Sequence, residues 1–134
     1  MANYMFETDI LNKIIKEHFA AVRNSIKGNK YFVSQRQYDT INSMEDADLT
    51  KSLLEIFTPL PQEALPEVEL FEALVSILDD KGKKAANAQE ALIIGACIAN
   101  KYTLVSEDKI IAETAWNYGA RVNNLYEFFK AINK

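Results

Sequence analysis

Ala85-Ala86-Asn87-Ala88-Gln89-Glu90-Ala91-Leu92-Ile93-Ile94-Gly95-Ala96-Cys97-Ile98-Ala99-Asn100 carries a single charge, Glu90, among residues that are otherwise small or apolar. A short β-like run, Tyr102-Thr103-Leu104-Val105-Ser106, follows and leads into Glu107-Asp108-Lys109. A helix that is apolar on all sides is a buried helix. A carboxylate inside it needs a cation, a hydrogen-bond donor or a metal, because burying an unpaired charge is costly. Asp108 stands where a strand gives way to a helix, the edge at which open α/β sheets hold their ligands. The stretch therefore predicts a buried helix, a parallel strand and a functional edge, with two acids near that edge.

Working outward, the same alternation recurs. Asn3-Tyr4-Met5-Phe6-Glu7 reads as a strand, with Thr8 as N-cap of a helix whose apolar stripe is Ile10, Leu11, Ile14, Ile15, Phe19 and Val22. Lys30–Ser34 reads as a second strand, followed by helices over about Gln35–Met44 and Ala47–Phe57, the latter opened by Asp46 or Asp48. The three prolines fall in Thr58–Pro66, a loop with room for a short edge strand, and Pro66 suits the first turn of a helix reaching about Asp80. Lys81-Gly82-Lys83-Lys84 ends that helix and reads as a solvated turn, with contact to phosphates as the alternative. After the Leu104 strand come a helix over Glu107–Tyr118 stopped by Gly119, a strand over Ala120–Asn123 and a helix over Leu125–Ile132. Strands alternating with helices predict a parallel sheet covered on both faces. Right-handed crossovers then put all strand C-terminal ends on one edge, where Glu7, Ser34, Ser106 and Asp108 would lie.

Composition bounds the function. The 134 residues suffice for one domain with a core of its own, and 49% hydrophobic with 25% charged residues is globular composition. The uncharged run Ala91–Asn100 is too short to span a membrane, and the N-terminus lacks the layout of a signal peptide, so a cytoplasmic setting is expected. Cys97 is the only cysteine and reads as a small buried hydrophobe. A net charge of −4 argues against a global basic field for nucleic acid. There is no glycine-rich phosphate loop, no Cys/His metal spacing and no Ser/His/Asp arrangement around His18.

Glu7, Glu90 and Asp108 are thus the candidates for chemistry. Carboxylates gathered in a partly dry site repel one another and persist when a divalent cation neutralises them, and oxygen-only ligands favour Mg²⁺ or Mn²⁺. Each acid also has a plainer reading. Asp108 would be a residue of a first helical turn, Glu90 would pair with Lys101 or Lys109, and Glu7 would be a solvated strand end. Trp116, Tyr118, Phe128 and Phe129 read as core.

Three segments, Asn87-Ala88-Gln89-Glu90-Ala91-Leu92-Ile93, Tyr102–Lys109 and Gly119-Ala120-Arg121-Val122-Asn123-Asn124, resemble the PIN-domain family, the metal-dependent ribonuclease fold used by VapC-type toxins. Met5-Phe6-Glu7-Thr8-Asp9-Ile10-Leu11 is similar to the family's acid-bearing first strand end. The resemblance implies one three-layer α/β/α domain over residues 1–134, with a central parallel sheet of four or five strands. It implies a divalent-metal-dependent endoribonuclease acting on single-stranded RNA, with Glu7, Glu90 and Asp108 holding Mg²⁺ or Mn²⁺. Asp39 or Thr40 would assist through water, and Arg36 and Lys109 would contact RNA phosphate. A partner antitoxin and a homodimer are implied as well. The homodimer is expected through helices, because Ile14, Ile15, Leu53, Leu54, Ile56 and Phe57 read as more apolar surface than so short a chain can bury.

The chain departs from the family pattern in three places. Glutamate stands at Glu7 and Glu90 where aspartate is usual, and Thr40 aligns with a usual glutamate; only Asp108 matches unchanged. These departures leave open a second reading, a catalytically degenerate PIN domain that serves as a binding or assembly module.

Overall fold

The computed structural model describes residues 2–83 and 87–133; Lys84 of the basic turn and the Ala85-Ala86 start of the buried helix lie outside the described residues. Five strands, β1 (Ala2–Phe6), β2 (Asn29–Val33), β3 (Phe57–Pro59), β4 (Thr103–Val105) and β5 (Arg121–Asn123), form one sheet in the order β3-β2-β1-β4-β5. All four pairings are parallel, with Tyr4 beside Tyr31, Met5 beside Leu104 and Val105 beside Asn123. The edge strand expected within the proline loop is β3, and Pro59 closes it.

Side chains alternate across a strand, and that alternation builds two cores. Tyr4, Phe6, Tyr31, Val33 and Val105 point to one face. There they meet α1 (Thr8–Glu17), α2 (Phe19–Arg23), α3 (Gln35–Asn42), α4 (Ala47–Ile56) and α8 (Leu125–Ile132). Phe128 of α8 packs edge-on against Tyr4 and Phe6, with ring centroids 4.9 and 5.4 Å away. Met5, Phe32 and Leu104 point to the other face, against α5 (Val68–Asp80), α6 (Asn87–Asn100) and α7 (Lys109–Asn117). The three layers predicted from the alternation are therefore observed.

Helix α6 is the buried helix, with Ala91, Ile93, Ile94, Ala96 and Cys97 all fully enclosed. Gly95 lets it lie close to the loop before α5. A Cβ at that position would stand 2.7 Å from Cβ and 2.8 Å from Cγ of Pro66, closer than packed atoms allow.

Several sequence expectations are corrected. The first helix is broken at His18, whose φ of −132° and ψ of 19° leave the helical region, so Phe19 and Val22 belong to α2. Its cap is Glu7 rather than Thr8: the Glu7 carboxylate accepts the Asp9 N–H at 2.8 Å. Trp116 and Tyr118 are 67% and 41% exposed, so they are not core, whereas Phe128 is fully buried. Ile14, Ile15, Leu53, Ile56 and Phe57 are all buried and Leu54 is half-buried, which leaves little of the apolar surface from which a homodimer was argued. Tyr126 and Val68 are the other strongly exposed large apolar side chains, with Trp116. Among the described residues no helix is long and apolar enough to cross a membrane.

Candidate active site

Because every strand is parallel, the chain leaves β1, β2 and β4 at the same edge, and each exit is fixed by a side-chain cap. Glu7 caps α1 as described. Ser34 caps α3 in a reciprocal box: its hydroxyl accepts the Gln37 N–H at 3.1 Å, and the Gln37 side-chain Oε1 accepts the Ser34 N–H at 2.9 Å. Asp108 caps α7, its Oδ1 accepting the N–H groups of Ile110 and Ile111 at 2.9 and 3.1 Å. Such caps satisfy helix N–H groups that have no partner within the helix. They also aim three helix N-termini at one place, which favours negative charge there.

Gln37 ties two of these exits together. It is 4% exposed, and its side-chain amide donates to the Phe6 carbonyl at 3.0 Å and to the Thr8 hydroxyl at 3.3 Å. From the opposite layer, the Gln89 amide of α6 hydrogen-bonds the Ser34 hydroxyl. The three strand exits and α6 thereby form one polar frame.

Inside this frame is a cavity of about 400 Å³. Glu7, Glu90 and Asp108 all line it, so the structure brings the three candidate acids to one cavity. Arg36, Thr40 and Lys83 line it too, while Asp39 and Lys109 do not. Asp39 is exposed and accepts a hydrogen bond from Gln35 at 2.9 Å, one helical position away from the cavity. Thr40 reaches the cavity, yet its hydroxyl donates back to the Arg36 carbonyl at 3.0 Å within α3. Lys109, the first residue of α7, is exposed outside it.

The plainer readings separate here. Glu7 is 5% exposed and is no solvated strand end. Burial raises its pKa; the Asp9 amide offsets part of that rise, and the charges of Asp9 and Asp108 add to it. Glu90 is 3% exposed, and among the described residues it pairs with neither Lys101 nor Lys109. Its Oε2 is buried with no hydrogen-bond partner among the described residues. Burial first, then the charge of Glu7, pushes its pKa up to about 7, against the pull of the Thr8 hydroxyl and amide. For Asp108 the helix-cap reading holds, and an ion pair with Lys83 adds to it. Burial would raise its pKa, but the Lys83 ammonium and the Ile111 and Ile110 amides outweigh that and hold it below the usual aspartate value.

Lys83 is the residue that sequence reading passed over as part of a solvated turn. No periodicity marks it, because its partner lies 25 residues further along the chain. The nearest signal was Gly82, which ends α5 and so decides where the next side chain points.

In chemistry and charge the set fits a divalent cation: the donors are all carboxylate oxygens, and one buried oxygen has no hydrogen-bond partner among the described residues. In the positions shown, Asp108 is engaged by Lys83 and by α7. Among the described residues no group of three or more His, Cys, Asp or Glu side chains is drawn together as an ion cage.

The fold is that of a PIN-type α/β/α domain, and solved structures share it across almost the whole chain. VapBC2 from Rickettsia felis, solved bound to a DNA fragment from their promoter, is 19% identical with a TM-score of 0.60, covering 91% of this chain and 98% of that one. VapBC-1 from nontypeable Haemophilus influenzae is 12% identical with a TM-score of 0.63, covering 91% and 97%. A PilT N-terminus domain protein from the archaeon Sulfolobus solfataricus P2 is 18% identical with a TM-score of 0.56, covering 96% and 92%. No protein-family model matches the sequence, and no curated protein does. At these identities the shared property is the architecture.

Proposed function

We propose that this chain is a divalent-metal-dependent endoribonuclease for single-stranded RNA, working as the toxin of a toxin–antitoxin pair. The observation that carries the reading is that Glu7, Glu90 and Asp108, from three separate segments, all line one cavity on the strands' exit edge, with the Glu90 Oε2 lacking a hydrogen-bond partner among the described residues. Glu7, Glu90 and Asp108 would hold Mg²⁺ or Mn²⁺. When bound, such an ion activates water and offsets charge on the leaving oxygen of a phosphodiester.

The chain's own groups supply the rest. Arg36, on the cavity wall, offers a planar fork of N–H donors suited to phosphate, so of the two expected phosphate contacts it is the one this reading keeps, Lys109 lying off the cavity. The Gln37 bridge fixes Glu7 relative to α3, and with it Arg36. Thr40, whose hydroxyl is engaged within its own helix, would act only through water, and Asp39 would need a register shift to reach the cavity. An antitoxin chain is proposed as partner by analogy with the VapBC structures. A homodimer through helices is proposed as well, with Leu54 the half-buried member of the apolar set first considered for it.

The departures at Glu7, Glu90 and Thr40, together with the Lys83–Asp108 pair, favour a second reading, a degenerate PIN domain that binds without cleaving. Incubation of an unstructured RNA oligonucleotide with the protein separates the two. Cleavage that needs millimolar Mn²⁺ or Mg²⁺, stops in EDTA and falls on the order of a hundredfold in Glu90→Gln supports the nuclease. No cleavage, with the fold intact and no Mn²⁺-dependent gain in thermal stability, supports the binding module.

A further inference from the structure

Lys83 is placed by the way α5 ends. Gly82 takes a φ of +85°, a region that suits glycine, and the chain reverses there. The Gly82 N–H donates to the Asp79 carbonyl at 3.0 Å, and the Lys83 N–H donates to the Leu78 carbonyl at 2.8 Å. Together these form a complete Schellman cap. The Lys83 backbone is therefore pinned to the last turn of α5, itself anchored in the core by Leu74 and Leu78. From that fixed base the side chain enters the acid cavity, and its ammonium pairs with Oδ2 of Asp108, the oxygen the α7 amides leave free. Glu7 and Asp9 line the same cavity and add to the negative field around it.

The neutralisation of the site is consequently uneven. Asp108 has a tethered cation, whereas among the described residues Glu90 has none and keeps an oxygen without a hydrogen-bond partner. A divalent ion entering the cavity must compete with Lys83 for Asp108, and two cations crowd one another in a half-dry pocket. We infer that Lys83 is the protein's own counter-ion for this site and sets its affinity for divalent cations, which bind only by displacing its ammonium from Asp108. This inference rests on the metal-site reading above, and the test separates the failure of one from the failure of the other.

The experiment is a Mn²⁺ titration followed by thermal unfolding, at fixed pH and ionic strength, on wild type, Lys83→Met, Lys83→Gln, Lys83→Arg and Lys81→Met. Lys81 is exposed and off the cavity, so its substitution removes the same charge without touching Asp108. Lys83→Met and Lys83→Gln are expected to bind Mn²⁺ about tenfold more tightly than wild type, the scale of one lost charge–charge contact at a partly exposed site. Lys83→Arg and Lys81→Met are expected to stay within about twofold of wild type, since distant exposed charges are screened. Unchanged or weaker Mn²⁺ affinity in both neutral Lys83 variants, or equal tightening by Lys81→Met, overturns the counter-ion role and leaves the metal site standing. No Mn²⁺ response in any of the proteins overturns the metal site and the counter-ion role together.

Discussion

Glu90 and Asp108 line one cavity, yet their surroundings are opposite. Glu90 comes from a largely buried helix, is 3% exposed, and has an oxygen with no hydrogen-bond partner among the described residues. Asp108 sits at the start of α7, with two backbone amides on one oxygen and an ammonium on the other. Burial therefore dominates at Glu90 and raises its pKa to about 7, while hydrogen bonds and charge dominate at Asp108 and lower it. The signs of their effects on folding are opposite too. Asp108 releases its proton more readily when folded, so it adds stability above the ordinary aspartate pKa and loses it as pH falls. Glu90 holds its proton more tightly when folded, so it removes stability as pH rises through its two pKa values. One acid is settled by the fold, and the other is tolerated by it.

The largest expected effect tests the tolerated acid. Between its unfolded value of 4.5 and its folded value of about 7, Glu90 should weaken the protein progressively. Above that range the loss reaches about 3 kcal/mol at about 1.4 kcal/mol per pKa unit. Glu90→Gln in EDTA should therefore raise the unfolding free energy in urea by about 2 to 3 kcal/mol at pH 8 and leave it nearly unchanged at pH 4.5. An equal effect at both pH values would mean that charge burial is not what distinguishes Glu90.

A second experiment asks what holds Glu90 where it is. Gly95→Ala would drive a methyl group into Pro66 and push α6 from its seat. The expected cost is about 1 to 3 kcal/mol, the usual range for overpacking, read as a lower urea midpoint at unchanged slope. A neutral substitution would show that the Pro66 loop yields freely and that α6 is less firmly placed than its burial implies.

The smallest effect separates the two supports of Asp108. Asp108→Ala removes the α7 cap and should cost about 1 kcal/mol. Asp108→Asn keeps the oxygen acceptor for Ile110 and Ile111 and loses only the charge facing Lys83, so it should cost less. If the two variants prove equal in chemical denaturation, the ion pair and not the cap is the larger support.

Much of this contrast was legible before the fold was known. The charge-poor run around Glu90 can only be an enclosed helix, and a carboxylate on it must be under strain. The alternation Tyr4-Met5-Phe6 and Phe32-Val33 assigns side chains to faces, and the strand ends follow from parallel pairing. What could not be read is whatever depends on a distant partner. Gln37 looks like an ordinary helical glutamine until its amide is seen on Phe6, 31 residues away. Lys83 looks like one more charge in a basic turn until the α5 cap aims it at Asp108. The break at His18 has no proline or glycine to announce it, and the apolar stripe continues across it as though the helix did. Thr40 took the aligned position and Asp39 only a shifted one; neighbouring helix positions differ by about 100°, and in the register of α3 it is Thr40 that reaches the cavity. Trp116 was misjudged because an apolar residue on an amphipathic helix is normally turned inward.

The sheet's outermost strands carry a consequence of another kind. β3 and β5 contain three residues each, β3 ends on a proline that has no N–H to offer, and β5 begins with the exposed Arg121. Edges so short and so poorly equipped with donors give a neighbouring molecule almost no ladder to extend, and short edges with proline or charge are how β-proteins resist aggregation. The chain can therefore be crowded in solution with little tendency to polymerise strand by strand, even with half of its composition hydrophobic.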